Sequence, residues 1–134
     1  MQDSIFTQII KGQIPCHKIY EDDKTYAFLD IHPIQPGHVL VVPKNQVNEF
    51  QNLSITDYTA LFNTVKLVAN KLKKQYPAKR VGLKIIGLDV AHAHVHVFPF
   101  TDINEYNNVP DLSSEPNHAE LADIAKQLKI TEVN

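Results

Sequence analysis

The 134-residue sequence contains a single cysteine, no tryptophan and only four glycines. One cysteine, Cys16, permits no intramolecular disulfide. No apolar run approaches the roughly 20 residues that a membrane-spanning helix needs. The N-terminal stretch MQDSIFTQIIKGQIP is interrupted by polar side chains and lacks the form of a signal peptide, so a cytoplasmic protein is expected. Positive charge is not in excess. Thirteen Lys and Arg stand against 15 Asp and Glu, a formal net charge of −2, so neither nucleic acid nor membrane is expected as a partner. Repeats and low-complexity segments are absent too.

What remains is ordinary globular composition, 43% hydrophobic and 21% charged, in a length that suits one hydrophobic core. Asp3 can cap a short helix carrying Ile5, Phe6, Ile9 and Ile10, which Gly12 can end. Residues 18–21 and 25–30 read as two strands of a hairpin, turned by Asp22, Asp23 and Lys24. The prolines and glycine of HPIQPG enforce a loop. The β-branched run at 38–42 predicts a strand buried on both faces, closed by Pro43. Ser54, with Asp57 three residues on, starts a helix over 55–75, and Tyr58, Leu61, Phe62, Val65, Val68, Ala69 and Leu72 form its apolar stripe. Strands are expected at 81–86 and 91–98, with Gly87 between them. Residues 101–118 read as loop. Residues 117–130 place Leu121, Ile124, Ala125 and Leu128 at helical spacing. The expected architecture is α+β: about five strands in a largely antiparallel sheet, a long central helix, and short helices at either end.

The one unusual abundance is histidine, with seven in all and three at 92, 94 and 96. Alternate residues of a strand share a face, so these three are expected to project together while Ala93, Val95 and Val97 face the core. Buried imidazoles need hydrogen-bond partners or carry a penalty of roughly 1–3 kcal/mol each. The spacing admits a metal site completed by residues such as His38, His32, Asp30 or Asp89. It equally admits attack on phosphorus by a neutral imidazole, with a neighbouring imidazole donating to the phosphate or leaving group. Three histidines facing solvent would be the plain alternative.

The segment HAHVHVF at 92–98 resembles the His-φ-His-φ-His-φ-φ motif of the histidine-triad (HIT) superfamily. DSIFTQIIKGQIP (3–15), YEDD (20–23), AFLDI (27–31) and PGHVLVVPK (36–44) precede it in the order of the Hint-type branch. This resemblance implies a HIT-like fold over residues 1–100, with 101–134 a loop and short helix packed on the same domain. It implies a hydrolase or transferase acting at the α-phosphate of a purine nucleotide, typically a nucleoside phosphoramidate or dinucleoside polyphosphate, with no cofactor. A non-enzymatic nucleotide-binding module is the second reading. By position, His94 would be the nucleophile, the His92 carbonyl would accept from its Nδ1–H, and His96 would contact the phosphate and bridging atom. Asp30 would take the ribose hydroxyls, and Ile5, Phe6, Ile9, Phe28 and Ile31 would line the base pocket. His38 would stand behind the reacting rings as a hydrogen-bond partner. A homodimer built around the long helix and the strand at 81–86 is also implied.

The sequence departs from that pattern in three places. Many relatives hold a structural zinc with two cysteines, a histidine and the first histidine of the triad. Here those positions carry Ser4, Thr7 and Gln46, so no metal is expected. The loop before the triad is short, with Gly87 and Leu88 where relatives carry Asn and Gln, and with Asp89 beside them. The tail after the triad strand is longer than the motif requires, and could cover the core or strap a dimer.

Overall fold

A serine hydroxyl opens the first helix. In the computed structural model, which describes residues 2–131, Ser4 accepts from the Thr7 N–H and caps α1 (Ile5–Ile10). The sequence reading puts this cap at Asp3, but Asp3 instead pairs with Lys11 at 2.8 Å. Five strands follow: β1 (Lys18–Glu21), β2 (Thr25–Leu29), β3 (Val39–Pro43), β4 (Arg80–Lys84) and β5 (Val95–Phe100). They form one antiparallel sheet in the order β1-β2-β3-β5-β4. The long helix α2 (Ile55–Gln75) crosses between β3 and β4, and the tail supplies α3 (Ile103–Tyr106) and α4 (His118–Leu128). The α+β class, the five strands and the long central helix are as the sequence implies. The single turn of α3, inside a stretch read as loop, is not.

Strand parity divides the sheet into two working faces. Ala27, Leu29, Val39, Val41, Val95 and Val97 point to one side and meet Leu61, Val65, Val68 and Leu72 of α2, with Leu121, Ala125 and Leu128 of α4 completing the cluster. Burying each such aliphatic side chain contributes about 1.5–3 kcal/mol, so this face carries most of the stability. Tyr58, assigned to the stripe by spacing, is largely exposed and stacks against Phe62 instead. The other face packs Tyr26, Phe28, Leu40 and Val42 against Phe6 and Ile9 of α1. On this second face, register aligns Phe28 with Leu40, Leu40 with His96, and His96 with Lys84. A row therefore runs across four strands from an aromatic to a cation.

A further correction concerns the histidines. The sequence reading puts all three on a strand over 91–98, yet β5 begins at Val95 and only His96 is in the sheet. The backbone groups ahead of it are committed elsewhere. Ala93 N–H donates to the Val47 carbonyl at 2.7 Å, and the His92 carbonyl is taken by its own neighbour's ring. The connection from Lys84 to Val95 is accordingly longer than expected and turns at Gly87, whose φ is +70°. Pro99 lies inside β5, opposite Val81 of the edge strand β4.

Candidate active site

Each imidazole near the sheet has a determined proton position, because its partners leave one choice. His92 is fully buried. Its Nε2–H donates to the Pro43 carbonyl at 2.8 Å, so its Nδ1 accepts the Ser4 hydroxyl at 2.7 Å. His94, also buried, donates Nδ1–H to the His92 carbonyl at 2.7 Å, which leaves the Nε2 lone pair free. Ile34 N–H donates to His38 Nδ1 at 3.2 Å. His38 therefore donates Nε2–H to His96 Nδ1 at 2.9 Å, and His96 presents an N–H at Nε2. Burial pushes the His38 pKa down to about 3 and that of His96 to about 4, with neighbouring histidines and Lys84 adding to the shift. Both rings stay neutral near physiological pH, so the chain of tautomers is kept.

His94 and His96 open onto a cleft of about 640 Å³, within the usual range for small-molecule sites. Ile5, Phe6, Ile9, Phe28 and Ile31 line it, as do Asp30 and His38, so the fold brings these residues to one cavity. His92 is not on its wall. It faces Ser4 and Pro43, and meets the cleft only through the carbonyl it lends to His94. Phe6 holds the His94 ring edge-to-face at 4.8 Å between centroids. Asp30 follows β2 and accepts the His32 N–H at 2.8 Å. Burial raises its carboxyl above the ordinary value. The His32 ring lines the same wall, and its Nδ1 is buried without a partner. His17 and His118, away from this cleft, hydrogen-bond to each other at 2.9 Å.

Three further groups border the cleft. Asp89, largely exposed, brings a carboxylate oxygen to 3.9 Å from His94 Nε2. Lys84 is the only Lys or Arg among the described residues lining the cleft. Residues 107–110 and Leu112 of the tail form part of the wall, pinned by Asn108, whose Nδ2 donates to the Ile34 carbonyl at 2.9 Å. The alternation of β4 hints at where Lys84 points, but its pairing with His96 depends on a register that no local signal specifies.

Neither cluster of polar ligands suits a metal ion. One atom each of Asp30, His38 and His96 lies within 4.8 Å of the others. A ligating imidazole must carry its proton on the other nitrogen, yet His38 Nδ1 faces the Ile34 N–H and cannot take one. At the second cluster, Thr7 Oγ1–H and Ser4 N–H both donate to Gln46 Oε1, at 2.7 and 2.8 Å, beside the Ser4–His92 bond. Hydroxyls and an amide are poor zinc ligands, and both His92 nitrogens are already bonded.

The family model for the HIT domain matches residues 11–103. The chain belongs to the HIT family. A HIT-like protein of Borreliella burgdorferi is 36% identical over 106 residues, covering 74% of this chain and 76% of the relative. The adenosine 5′-monophosphoramidase HNT1 of Candida albicans is 35% identical over 107 residues, covering 73% and 70%. Among solved structures, a HIT-like protein from Bartonella henselae superposes with a TM-score of 0.82 at 26% identity, covering 94% of this chain and 93% of that one. A zinc-bound HIT family protein from Mycobacterium smegmatis superposes with a TM-score of 0.73 at 25% identity, covering 92% and 94%. No described helix is long and apolar enough to cross a membrane.

Proposed function

We propose that this HIT protein hydrolyses a P–N or P–O bond at the α-phosphate of a purine nucleotide, through a nucleotidyl intermediate on His94. The observation that carries the reading is the bond from His94 Nδ1–H to the His92 carbonyl. It fixes the tautomer and aims the Nε2 lone pair at the cleft. The purine packs among Ile5, Phe6, Ile9, Phe28 and Ile31, and the ionised Asp30 accepts the two ribose hydroxyls. His94 Nε2 attacks phosphorus as the bond to the leaving group breaks. For a phosphoramidate, the departing nitrogen keeps the electron pair and takes a proton from His96 Nε2–H. The positive charge formed on His94, whose ring centroid is 5.1 Å from that of His96, offsets the charge left behind. Water then gives hydroxide to phosphorus and a proton back to His96, releasing the nucleoside monophosphate and neutral His94.

The names of the Candida albicans relative and of a second adenosine 5′-monophosphoramidase, from Schizosaccharomyces pombe, support the P–N reaction. A homodimer completes the proposal. Among the described residues the edge strand β4 has no neighbour on its outer side, and Leu83 and the following Ile85 are exposed. A cytoplasmic location and a HIT unit over residues 1–100 belong to the same reading. A binding module without turnover is the second reading, favoured by Leu88, which is 92% exposed where a phosphate-contacting side chain would be expected. Incubation with adenosine 5′-phosphoramidate, followed by location of the nucleotidyl adduct, decides between them. An adduct on His94 that is missing from His94→Ala supports the enzyme. Stoichiometric binding of AMP with no adduct and no turnover supports the module.

A further inference from the structure

The row of side chains on the site face ends at Lys84, and the proposed reaction gives that end no task. From Phe28 and Asp30 at β2, the cleft runs past His38 and His96 to Lys84 on β4, so with the base under α1 the leaving group extends toward β4. The tail builds a seat there. The Tyr106 ring packs against Phe98 at 5.4 Å and Phe100 at 5.2 Å, and its hydroxyl donates to the Leu83 carbonyl at 3.0 Å. Gly82 makes room for it, since a Cβ at that position would lie 3.0 Å from the ring. Lys84 Nζ sits 4.6 Å from the Tyr106 ring centroid and 5.5 Å from that of Phe98, and gives one N–H to the Tyr106 carbonyl at 2.6 Å. An ammonium has three N–H donors, so two remain. No carboxylate lies within 4.0 Å of this ammonium among the described residues. Around it, Ile86, Leu88, Val109 and Leu112 present apolar side chains to the same cavity while remaining largely exposed.

We propose that Lys84 is a specificity-determining residue that receives the carboxylate of an amine leaving group whose body is apolar, the chemistry of a hydrophobic amino acid joined through its nitrogen to the α-phosphate. This rests on the proposed function and narrows it to one substrate class. One fixed cation matches one carboxylate, and the apolar rim matches the side chain. An α-carboxylate is two bonds from the amine nitrogen, a separation that cross-strand neighbours such as His96 and Lys84 can bracket. A polyphosphate leaving group fits poorly, since several negative charges would meet a single cation with Asp30 and Asp89 in the same cleft.

The test compares kcat/KM for the adenosine 5′-phosphoramidates of leucine and of leucine amide, with unsubstituted adenosine 5′-phosphoramidate and diadenosine tetraphosphate alongside. The expected result is a preference for leucine over its amide of about tenfold, as for one charge-assisted contact. That ratio should fall to about one in Lys84→Met and persist in Lys84→Arg. Equal rates for leucine and its amide in the wild type, an unchanged ratio in Lys84→Met, or a preference for diadenosine tetraphosphate overturns the assignment of Lys84 while leaving the hydrolase intact. Failure of the wild type to turn over any of the four overturns both.

Discussion

His94 and His92 are joined ring to backbone, with Nδ1–H of the first on the carbonyl of the second at 2.7 Å, while the His92 ring turns away to Ser4 and Pro43. The first histidine thus serves as a mount rather than a reagent. What fixes the His92 ring fixes the carbonyl, and what fixes the carbonyl aims the nucleophile.

Ser4 is therefore expected to matter twice, as the cap of α1 and as the donor to His92. Ser4→Ala should lower stability by about 2–4 kcal/mol, the sum of a lost cap and an unpaired buried nitrogen. It should also lower kcat more than KM, and Ser4→Thr should restore both. Denaturant unfolding and steady-state kinetics on the two variants check this. A constructive form of the test replaces Ser4 and Thr7 by Cys and Gln46 by His. That variant should acquire one zinc per chain, measured by metal analysis, where the wild type binds none.

Asp30 is expected to trade stability for binding. Burial raises its carboxyl pKa, so the ionised form is held at a cost near neutral pH. Asp30→Asn should raise Tm at pH 7 yet weaken AMP binding by at least about tenfold, because an amide has one acceptor atom where the carboxylate has two. In the wild type, AMP affinity should fall on acidification at a higher pH than an ordinary aspartate would give. Calorimetric titration across that range measures it.

The neutral histidine pair makes acid stability predictable. The pKa values of His38 and His96 are lowered in the fold, to about 3 and about 4, against 6.5 when unfolded. The unfolded chain then binds more protons below 6.5, so their contribution is complete above that pH and is lost as pH falls toward the folded values. Tm should decline on acidification from about 6.5 toward 4, and His96→Gln should flatten the slope. A thermal-melt series over that range reads the difference.

Asp89 stands where a carboxylate repels the incoming phosphate, 3.9 Å from His94 Nε2. Its side chain is 78% exposed, so solvent screens the effect. Asp89→Asn should lower KM for a phosphoramidate by a few-fold. An unchanged or higher KM would show that the carboxylate turns away when nucleotide binds.

The fold was legible where periodicity is strong. The β-branched run before Pro43 and the spacing from Leu61 to Leu72 define β3 and α2 without help from other segments. The site residues were legible mainly through the ordered motifs, since Asp30, His38 and His96 are separated in sequence and meet only through the sheet. The division of labour within the histidines was legible only through the motif resemblance, not through the local pattern. Alternation predicts one shared face, and nothing local reveals that the His92 carbonyl leaves the ladder to accept from His94. Lys84 stayed hidden because its neighbour His96 is set by register, and the tail because its contact with the 31–38 loop spans 74 positions.

That last bond, from Asn108 Nδ2 to the Ile34 carbonyl, makes the pocket a property of the whole chain. Its floor comes from strands laid down early in the sequence and its rim from a segment beyond the sheet. A nick between β5 and α3 would leave the histidines of the cleft in place yet unfasten the wall that meets the leaving group. Cleaved protein should then keep a nucleotide but lose its preference among leaving groups, so discrimination, more than turnover, reports whether the chain is intact.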